Sequence, residues 1–245
     1  MIFLWYDFCA EGNGFFIKSS MNMSILGTGV VGRVHAARLS ALGHAVVLGT
    51  QNVEKTLANT KADAMGNIPL HEWLKEHSSV RLAVFAEAVF ESEVVFNALK
   101  GEVALATLTS LKESLTGKIL IDIANPLDFS QGMPPSLSVC NTDSLGEQIQ
   151  RALPETRVVK AFNTINAALQ VNPMALSEGD HHLFMSGNDS DAKKAASDIA
   201  RSYGWRHIID VGDITTARGT EMLLPVWLRL WSTLKTPMFN FKIVQ

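Results

Sequence analysis

The chain is short of cysteine and of clustered charge. Its 245 residues include two cysteines, Cys9 and Cys140, which lie far apart and belong to no Cys-x-x-Cys or Cys/His cluster. This spacing argues against a disulfide scaffold and against a thiolate zinc site. Lys and Arg number 21 against 24 Asp and Glu, the net charge is -3, and no run of Lys and Arg occurs. Because nucleic acids and membrane surfaces attract concentrated positive charge, we expect neither as a partner.

Long hydrophobic runs are also missing. The richest stretch, residues 222–231, is interrupted by Pro225 and Arg229 and falls well short of the ~20 apolar residues that span a bilayer. Residues 1–10 are apolar, but they lack a positively charged start and contain Asp7, which makes them a poor export signal. We therefore expect a cytoplasmic protein in which residues 1–22 form an extension with no assigned function.

Strand-like and helix-like segments alternate from Met23 onward. This order is typical of the α/β class, here a Rossmann-type, doubly wound, mostly parallel sheet with helices on both faces. The predicted strands cover residues 24–26, 45–48, 82–85, 93–98, 118–124, 157–162, 182–186 and part of 205–211. Since no linker is evident, we expect one domain over residues 23–245, with a dinucleotide-binding half (23–126) and an acceptor-side half (127–245).

Residues 125–141 interrupt this alternation. They are rich in Pro, Gly and Ser and show neither helical nor strand periodicity. A stretch of this kind inside a compact domain is usually a lid or a binding loop, and we expect a binding loop. The next helix is predicted to begin at Ser144, because Ser144 and Glu147 have the spacing of a capping box, and to stop before Pro154.

A glycine-rich motif between the first strand and the first helix is the most specific feature. In a GxGxxG motif the first glycine permits a tight turn, the second lets the backbone approach a pyrophosphate, and the third allows the helix to pack on the sheet. The motif predicts dinucleotide binding, against the alternative of a glycine-rich turn in an α/β protein without a ligand. Its residues are Gly27, Thr28, Gly29, Val30, Val31 and Gly32.

The end of the second strand indicates which dinucleotide binds. An NAD enzyme places Asp or Glu there against the ribose 2′-hydroxyl, whereas this chain has Thr50, Gln51 and Asn52. A 2′-phosphate would instead meet Thr50, Gln51 and, one helical turn later, Lys55, so we predict NADP(H). Lys55 could also be an ordinary solvated lysine, and we expect Arg33 on the first helix to face solvent.

Other candidate binding residues follow the ends of later strands, because open α/β sheets place ligands at the carboxyl ends of their strands. We predict cofactor contacts at Asn97, Ala98, Ala124, Asn125 and Pro126. We assign Asn163 and Thr164, after the strand at 157–162, to the acceptor side.

No catalytic residue can be assigned from the pattern. The two tyrosines, Tyr6 and Tyr203, exclude a Tyr-x-x-x-Lys pair. Lys160 with Asn163 could serve the reduction of a small carbonyl or imine substrate, but the alternative that Lys160 points from a strand end into solvent is favoured.

We interpret the histidines and the apolar C-terminal segment as structural. His181 and His182 are neighbours in a strand and face opposite sides, so we interpret them as surface or edge residues and predict no metal site. His35 is expected to pack or to face solvent. Residues 222–231 are expected to form core or a homodimer contact, with an acceptor-pocket wall as the alternative.

Four segments carry a resemblance to a known family: ILGTGVVG, GHAVVLGTQNVEKT, VVKAFNTIN and LFMSGNDSDAKKAASDIARSYGW. They resemble the NADP-dependent oxidoreductases typified by the archaeal NADPH:deazaflavin (coenzyme F420) reductase, whose nucleotide-binding half is also similar to the cytosolic domain of six-transmembrane metalloreductases. Two further stretches, DIANPLDFSQGMPPSLSVCNTDSLGEQIQ and DITTARGTEMLLPVWLRLW, are similar to a bacterial subgroup whose acceptor is unassigned.

The resemblance implies NADP(H) as cofactor, a deazaflavin or flavin as co-substrate, and a 2′-phosphate held by Thr50, Gln51 and Lys55. The family commonly has Arg where this chain has Gln51, which removes a fixed positive charge. Hydride transfer between stacked rings needs no protein acid or base. We therefore expect an NADP(H)-dependent oxidoreductase acting on a small planar acceptor. A non-catalytic NADP(H)-sensing module is the competing interpretation.

Overall fold

The computed structural model describes residues 20–62 and 66–245. Most of the predicted N-terminal extension therefore lies outside the described residues, although Asn22 already belongs to the first strand. Eight strands form one sheet in the order β10-β9-β8-β5-β4-β1-β2-β3. These are β1 (Asn22–Leu26), β2 (Ala45–Thr50), β3 (Val80–Val84), β4 (Val94–Asn97), β5 (Ile119–Asp122), β8 (Arg157–Ala161), β9 (His182–Gly187) and β10 (His207–Asp210).

The sheet is mostly parallel, as predicted. The exception is β9, which pairs antiparallel with β8, while β10 pairs parallel with β9. The last two strands therefore run opposite to the other six. Strands β4 and β5 are buried along their whole length, which explains why they read as continuous apolar runs rather than as alternating ones.

Helices cover both faces of the sheet, which confirms the expected Rossmann-type layering. One apolar core joins α1 (Val30–Ala41), α3 (Leu70–Glu76), α8 (Ala167–Val171) and α9 (Ser190–Tyr203) to one face. The other core joins α4 (Phe85–Phe90), α5 (Gly101–Ser110), α6 (Lys112–Leu115), α7 (Leu145–Ala152) and α10 (Ala217–Met222) to the opposite face. The remaining α-helices of the described residues are α2 (Val53–Ala58) and α11 (Leu224–Leu234).

The segment 125–141 contains a small element that the sequence did not predict. Strands β6 (Leu127–Asp128) and β7 (Ser136–Leu137) form a two-stranded antiparallel pair, each too short to show a periodicity. Phe129 and Met133 lie between them and are exposed. Helix α7 then begins as predicted, since the Ser144 hydroxyl accepts a hydrogen bond from the Glu147 amide at 3.1 Å.

Candidate nucleotide-binding site

The carboxyl ends of β1, β2, β4, β5 and β8 lie along one edge of the sheet, and the glycine-rich loop joins β1 to α1 at that edge. Gly27 has φ +117, and a Cβ there would lie 2.5 Å from the Ala98 carbonyl oxygen. A Cβ on Gly32 would lie 2.0 Å from the Gly27 oxygen. On Gly29 a Cβ would meet no described atom within 4 Å. Packing therefore requires two of the glycines, whereas Gly29 borders open space.

Helix α1 presents unpaired backbone amides at this open space. Gly29 is its N-cap and provides no side chain, and the first hydrogen bond within the helix runs from the Arg33 amide to the Gly29 oxygen at 3.0 Å. The amides of Val30, Val31 and Gly32 thus precede the first helical hydrogen bond. A helix start of this kind is suited to an anion, because the exposed N–H groups and the helix dipole both favour negative charge.

A cleft of about 460 Å³ lies beside the glycine-rich loop. It contains three cationic side chains, and none of its described lining residues is acidic. The lining residues are Thr28, Arg33, Thr50, Gln51, Asn52, Lys55, Thr56, Asn59, Lys61, Ile68, Pro69 and Leu70. The structure thus brings Thr28, Thr50, Gln51 and Lys55 together in one cleft.

Arg33 corrects one expectation. Its side chain does not simply face solvent: Nε donates to the Thr28 carbonyl at 2.8 Å, and Nη1 donates to the Ile68 carbonyl at 2.5 Å. The guanidinium therefore lies in the wall of the cleft. Its position directly after the last glycine of the motif was the available signal, because a side chain in the first helical turn lies close to the loop that precedes it. No comparable sequence signal indicates that Lys61 lines the cleft.

Local capping orients Lys55. The Asn52 side chain accepts the Lys55 amide at 2.8 Å and so begins α2. The Thr56 hydroxyl donates to the Asn52 carbonyl at 2.7 Å and lies 2.7 Å from the Thr50 hydroxyl. Thr50 is therefore the donor of that pair, and its hydroxyl hydrogen is engaged inside the protein. Lys55, in contrast, is exposed at the cleft.

The polar residues at the strand ends bond mainly to one another. Asn97 is fully buried, donates to Asp122 at 2.7 Å and accepts the Leu99 amide at 3.3 Å. Asn125 donates to the Asn163 carbonyl at 2.8 Å, and the Asn163 amide donates back to Asn125 at 3.0 Å.

The backbone around these residues is closely packed. Ala124 and Pro126 are buried, Ala98 is half-buried, and Thr164 is buried beside Asn163. The Asn163 side-chain oxygen is buried without a hydrogen-bond partner in the described part of the chain. One polar atom near this edge of the sheet therefore lacks the partner that a buried oxygen normally has.

Lys160 lies in a buried ionic cluster. It is 1% exposed, and its Nζ lies 2.8 Å from Asp122, 2.8 Å from Glu221 and 2.5 Å from the Ala124 carbonyl oxygen. Glu221 also accepts the Leu145 amide at the start of α7. Burial alone would lower the pKa of Lys160, but the two carboxylates raise it above its ordinary value.

The geometry of this cluster corrects the expectation that Lys160 points to solvent. It also leaves the Lys160 ammonium, with its three N–H groups and three partners, no donor for a substrate.

A second buried network lies beneath α1. His35 lies between the Tyr203 hydroxyl at 3.1 Å and the Gln170 side-chain oxygen at 2.8 Å. The Gln170 amide donates to the carbonyls of Phe162 and Ile165 at 3.2 and 2.9 Å. The glutamine oxygen therefore faces His35 and accepts a hydrogen bond from its Nε2–H, so that Nδ1 accepts a hydrogen bond from the Tyr203 hydroxyl. This network joins the glycine-loop helix to the turn that carries Asn163 and Thr164.

Burial has opposite consequences for the two titratable groups of this network. It lowers the pKa of His35 to about 4 despite the hydrogen bond to Gln170. It raises the pKa of Tyr203 well above its ordinary value. Both groups are therefore neutral at pH 7.

One of the two adjacent histidines, His181, also differs from expectation. His181 is buried and neither a surface nor an edge residue: it lies 3.0 Å from the Pro173 carbonyl and accepts from Asn240 at 2.8 Å. His182 is half-buried at the start of β9. Within residues 20–62 and 66–245, no group of three His, Cys, Asp or Glu side chains could hold a metal ion. No helix in the same ranges is both long and apolar enough to cross a bilayer.

Comparison with known proteins identifies similar sequences. Residues 22–126 match the family model of coenzyme F420-dependent NADP oxidoreductases. The F420-dependent NADP reductase of Methanocaldococcus jannaschii is 32% identical over 218 residues, which cover 86% of this chain and 92% of that protein. The metalloreductase STEAP3 of Rattus norvegicus is 32% identical over 215 residues, which cover 86% of this chain but 38% of that protein.

A solved structure is similar over a longer part of the chain. A crystal structure from Arthrobacter sp. FB24, provisionally assigned as an F420-dependent NADP reductase, superposes with a TM-score of 0.89 at 52% sequence identity. The match covers 92% of this chain and 100% of that one. The similarity therefore extends beyond residues 22–126 into the C-terminal half of the chain.

Proposed function

Because the chain belongs to the family of coenzyme F420-dependent NADP oxidoreductases, we propose that it catalyses hydride transfer between NADP(H) and a planar acceptor of the deazaflavin or flavin type. The observation that carries this proposal is the cleft beside Gly29, which combines three cations with no acid among its described lining residues. NAD enzymes place a carboxylate at this position, and a carboxylate would repel a 2′-phosphate.

The nucleotide is proposed to lie along the carboxyl edge of the sheet. Its pyrophosphate would meet the free amides at the start of α1, with Gly29 leaving the approach open. Its 2′-phosphate would meet Gln51 and Lys55, beside Thr50. When bound, NADPH supplies the hydride, and the acceptor ring takes it up.

The acceptor is proposed to lie between this edge and the segment 125–141, next to Asn163 and Thr164. Two exposed apolar side chains of that segment, Phe129 and Met133, offer a surface for a planar ring. The side-chain oxygen of Asn163 is buried and has no hydrogen-bond partner within the described residues. After a small rearrangement of this side chain, the oxygen would accept a hydrogen bond from an amide N–H of the bound ligand. Reduction of a carbonyl or imine through Lys160 has no such support, because its three donors are engaged.

Two further proposals concern assembly and compartment. We propose a homodimer in which α11 takes part, because Val226 and Leu234 on this helix are exposed while Trp227 and Leu228 are buried. Sedimentation of wild type against a Val226→Lys variant tests this arrangement. The exposed free thiol of Cys140 supports a reducing compartment such as the cytoplasm.

The experiment that tests the function is anaerobic oxidation of NADPH by the purified protein. The deazaflavin coenzyme, FMN and a ferric chelate are offered in parallel, with NADH as the alternative donor and Gly29→Val as the matched control. We expect turnover with a ring acceptor and NADPH, and none with the variant. NADPH that binds but is not consumed with any acceptor would contradict hydride transfer to these acceptors and would favour a sensing role.

A further inference from the structure

We propose that Arg33 determines the preference for NADP(H) over NAD(H) by contacting the ribose 2′-phosphate in the cleft that Arg33 and Lys55 both line. This inference rests on the proposed function and assigns a role in the same site to a residue outside the strand-end segment that the sequence pattern indicates. The ligand group it would recognise is a phosphate monoester on the adenosine ribose.

The position of Arg33 is fixed by hydrogen bonds to two backbone carbonyls. Its Nε bonds to Thr28 in the glycine-rich loop, and its Nη1 bonds to Ile68 in the segment that precedes α3. Two such bonds hold the guanidinium plane in one orientation before a ligand arrives. A planar guanidinium matches the geometry of a phosphate and loses little freedom on binding when it is already held.

The other cations of the cleft are held less firmly. Lys55 and Lys61 are exposed, and each would lose side-chain freedom on meeting a phosphate. Position 51, which follows β2 directly and also lines the cleft, has a neutral glutamine. Arg33 is therefore the cation with the most defined geometry among the described lining residues, and it follows the same loop that approaches the pyrophosphate.

The test measures two fragments of the cofactor by calorimetry. Adenosine 2′,5′-bisphosphate carries the 2′-phosphate, and 5′-AMP lacks it. Arg33→Gln should weaken bisphosphate binding by roughly 10- to 100-fold, the scale of a lost charge-assisted hydrogen bond. Affinity for 5′-AMP should stay within about twofold, because the adenosine contacts are unchanged. Lys75→Gln on α3, an exposed lysine outside the cleft, is the matched control and should bind both fragments as the wild type does.

Two further variants separate a direct contact from a structural role. Arg33→Lys retains the charge without the planar fork and should bind the bisphosphate with intermediate affinity. Gln51→Arg in the Arg33→Gln background should restore much of the preference, because it returns a planar cation to the same cleft. Circular dichroism confirms that each variant is folded.

Three results would overturn the proposal. An equal loss of affinity for both fragments in Arg33→Gln would mean that Arg33 only holds Thr28 and Ile68 in place and does not contact the phosphate. A wild-type-like preference in that variant would remove Arg33 from the contact. If the wild type itself does not prefer the bisphosphate over 5′-AMP, both the proposed NADP(H) function and this inference fail. The first two results, in contrast, contradict this inference alone.

Discussion

The same edge of the sheet holds two cationic regions that are organised in opposite ways. In the cleft beside the glycine-rich loop, Lys55 and Lys61 are exposed, Arg33 is held by carbonyl groups, and no described lining residue is acidic. In the cluster between β5, β8 and α10, Lys160 is buried and contacts two carboxylates. The first region exposes two lysines to an approaching ligand, whereas the second neutralises its own charge.

The difference separates a binding role from a structural one. A buried cation whose donors are all used can align the strand ends around it but cannot serve a substrate. Exposed lysines such as Lys55 and Lys61 contribute little to stability but attract an anion. Perturbing the two regions should therefore have separate consequences, with binding lost in one case and folding stability lost in the other.

The largest expected effect is on binding. Gly29→Val should abolish measurable NADPH binding, because the side chain would occupy the open space before α1, while the fold should persist since the added Cβ meets no described atom within 4 Å. Fluorescence titration with NADPH and thermal unfolding measure the two quantities. Gly32→Ala is the contrasting control: its Cβ would lie 2.0 Å from the Gly27 oxygen, and this variant should lose stability. Unchanged NADPH affinity in Gly29→Val would contradict the site assignment.

The opposite result is expected for the buried cluster. Lys160→Met should lower the free energy of unfolding by about 3–5 kcal/mol, because it leaves Asp122 and Glu221 buried without their cation. Urea unfolding of the variant measures this loss. Adding Glu221→Gln should recover part of the stability by removing one of the two uncompensated charges. A stable Lys160→Met protein with reduced turnover would instead restore the catalytic interpretation of Lys160.

The buried histidine beneath α1 predicts a pH dependence of stability. The pKa of His35 is lowered from 6.5 to about 4 by burial, so the folded state binds this proton less readily than the unfolded state. The stabilisation is fully present above pH 6.5 and is lost as the pH falls towards 4, at ~1.4 kcal/mol per unit and about 3 kcal/mol in total.

Urea unfolding at several pH values between 7.5 and 4.5 tests this dependence. The control is His35→Gln, which should show a shallower loss over the same range, because the other titrating groups are common to both proteins. Parallel pH profiles would show that His35 does not contribute.

The features that could be predicted from the sequence depend on neighbours close in the chain. The glycine-rich motif follows β1 directly, and Ser144 and Glu147 lie within one helical turn, so spacing alone locates both. The partners of Lys160 are distant in sequence, and Asp122 becomes its neighbour only when β5 and β8 pair in register. A lysine inside the apolar segment VVKAF was the available signal, since such a residue needs a buried partner.

Separation along the sequence also explains the other differences between the predictions and the structure. The antiparallel direction of β9 depends on how the chain returns to the sheet after residues 162–181, which contain short helices and no strand periodicity. The direction of the Arg33 side chain depends on the Ile68 carbonyl, which lies 35 residues away. Neither feature leaves a periodic trace, so the sequence pattern predicts the sheet and the glycine-rich loop but not the wall of the cleft.

The smallest expected effect concerns the contribution of Lys55 to cofactor preference within the cleft. Lys55→Glu should weaken NADPH binding more than NADH binding by about 1–3 kcal/mol, because the change replaces a cation near the 2′-phosphate by a repelling carboxylate. Competition titrations with the two cofactors measure the difference. Lys112→Glu on α6, outside the described lining of the cleft, makes the same charge change and should leave the ratio of affinities unaltered.

Ionic strength provides a further check on Lys55. Because Lys55 is exposed, its contribution should shrink as salt is added, whereas a contact from the half-buried Arg33 should persist. Equal losses for NADPH and NADH in Lys55→Glu would mean that Lys55 does not approach the phosphate, and recognition would then fall to the other lining residues, Arg33 among them.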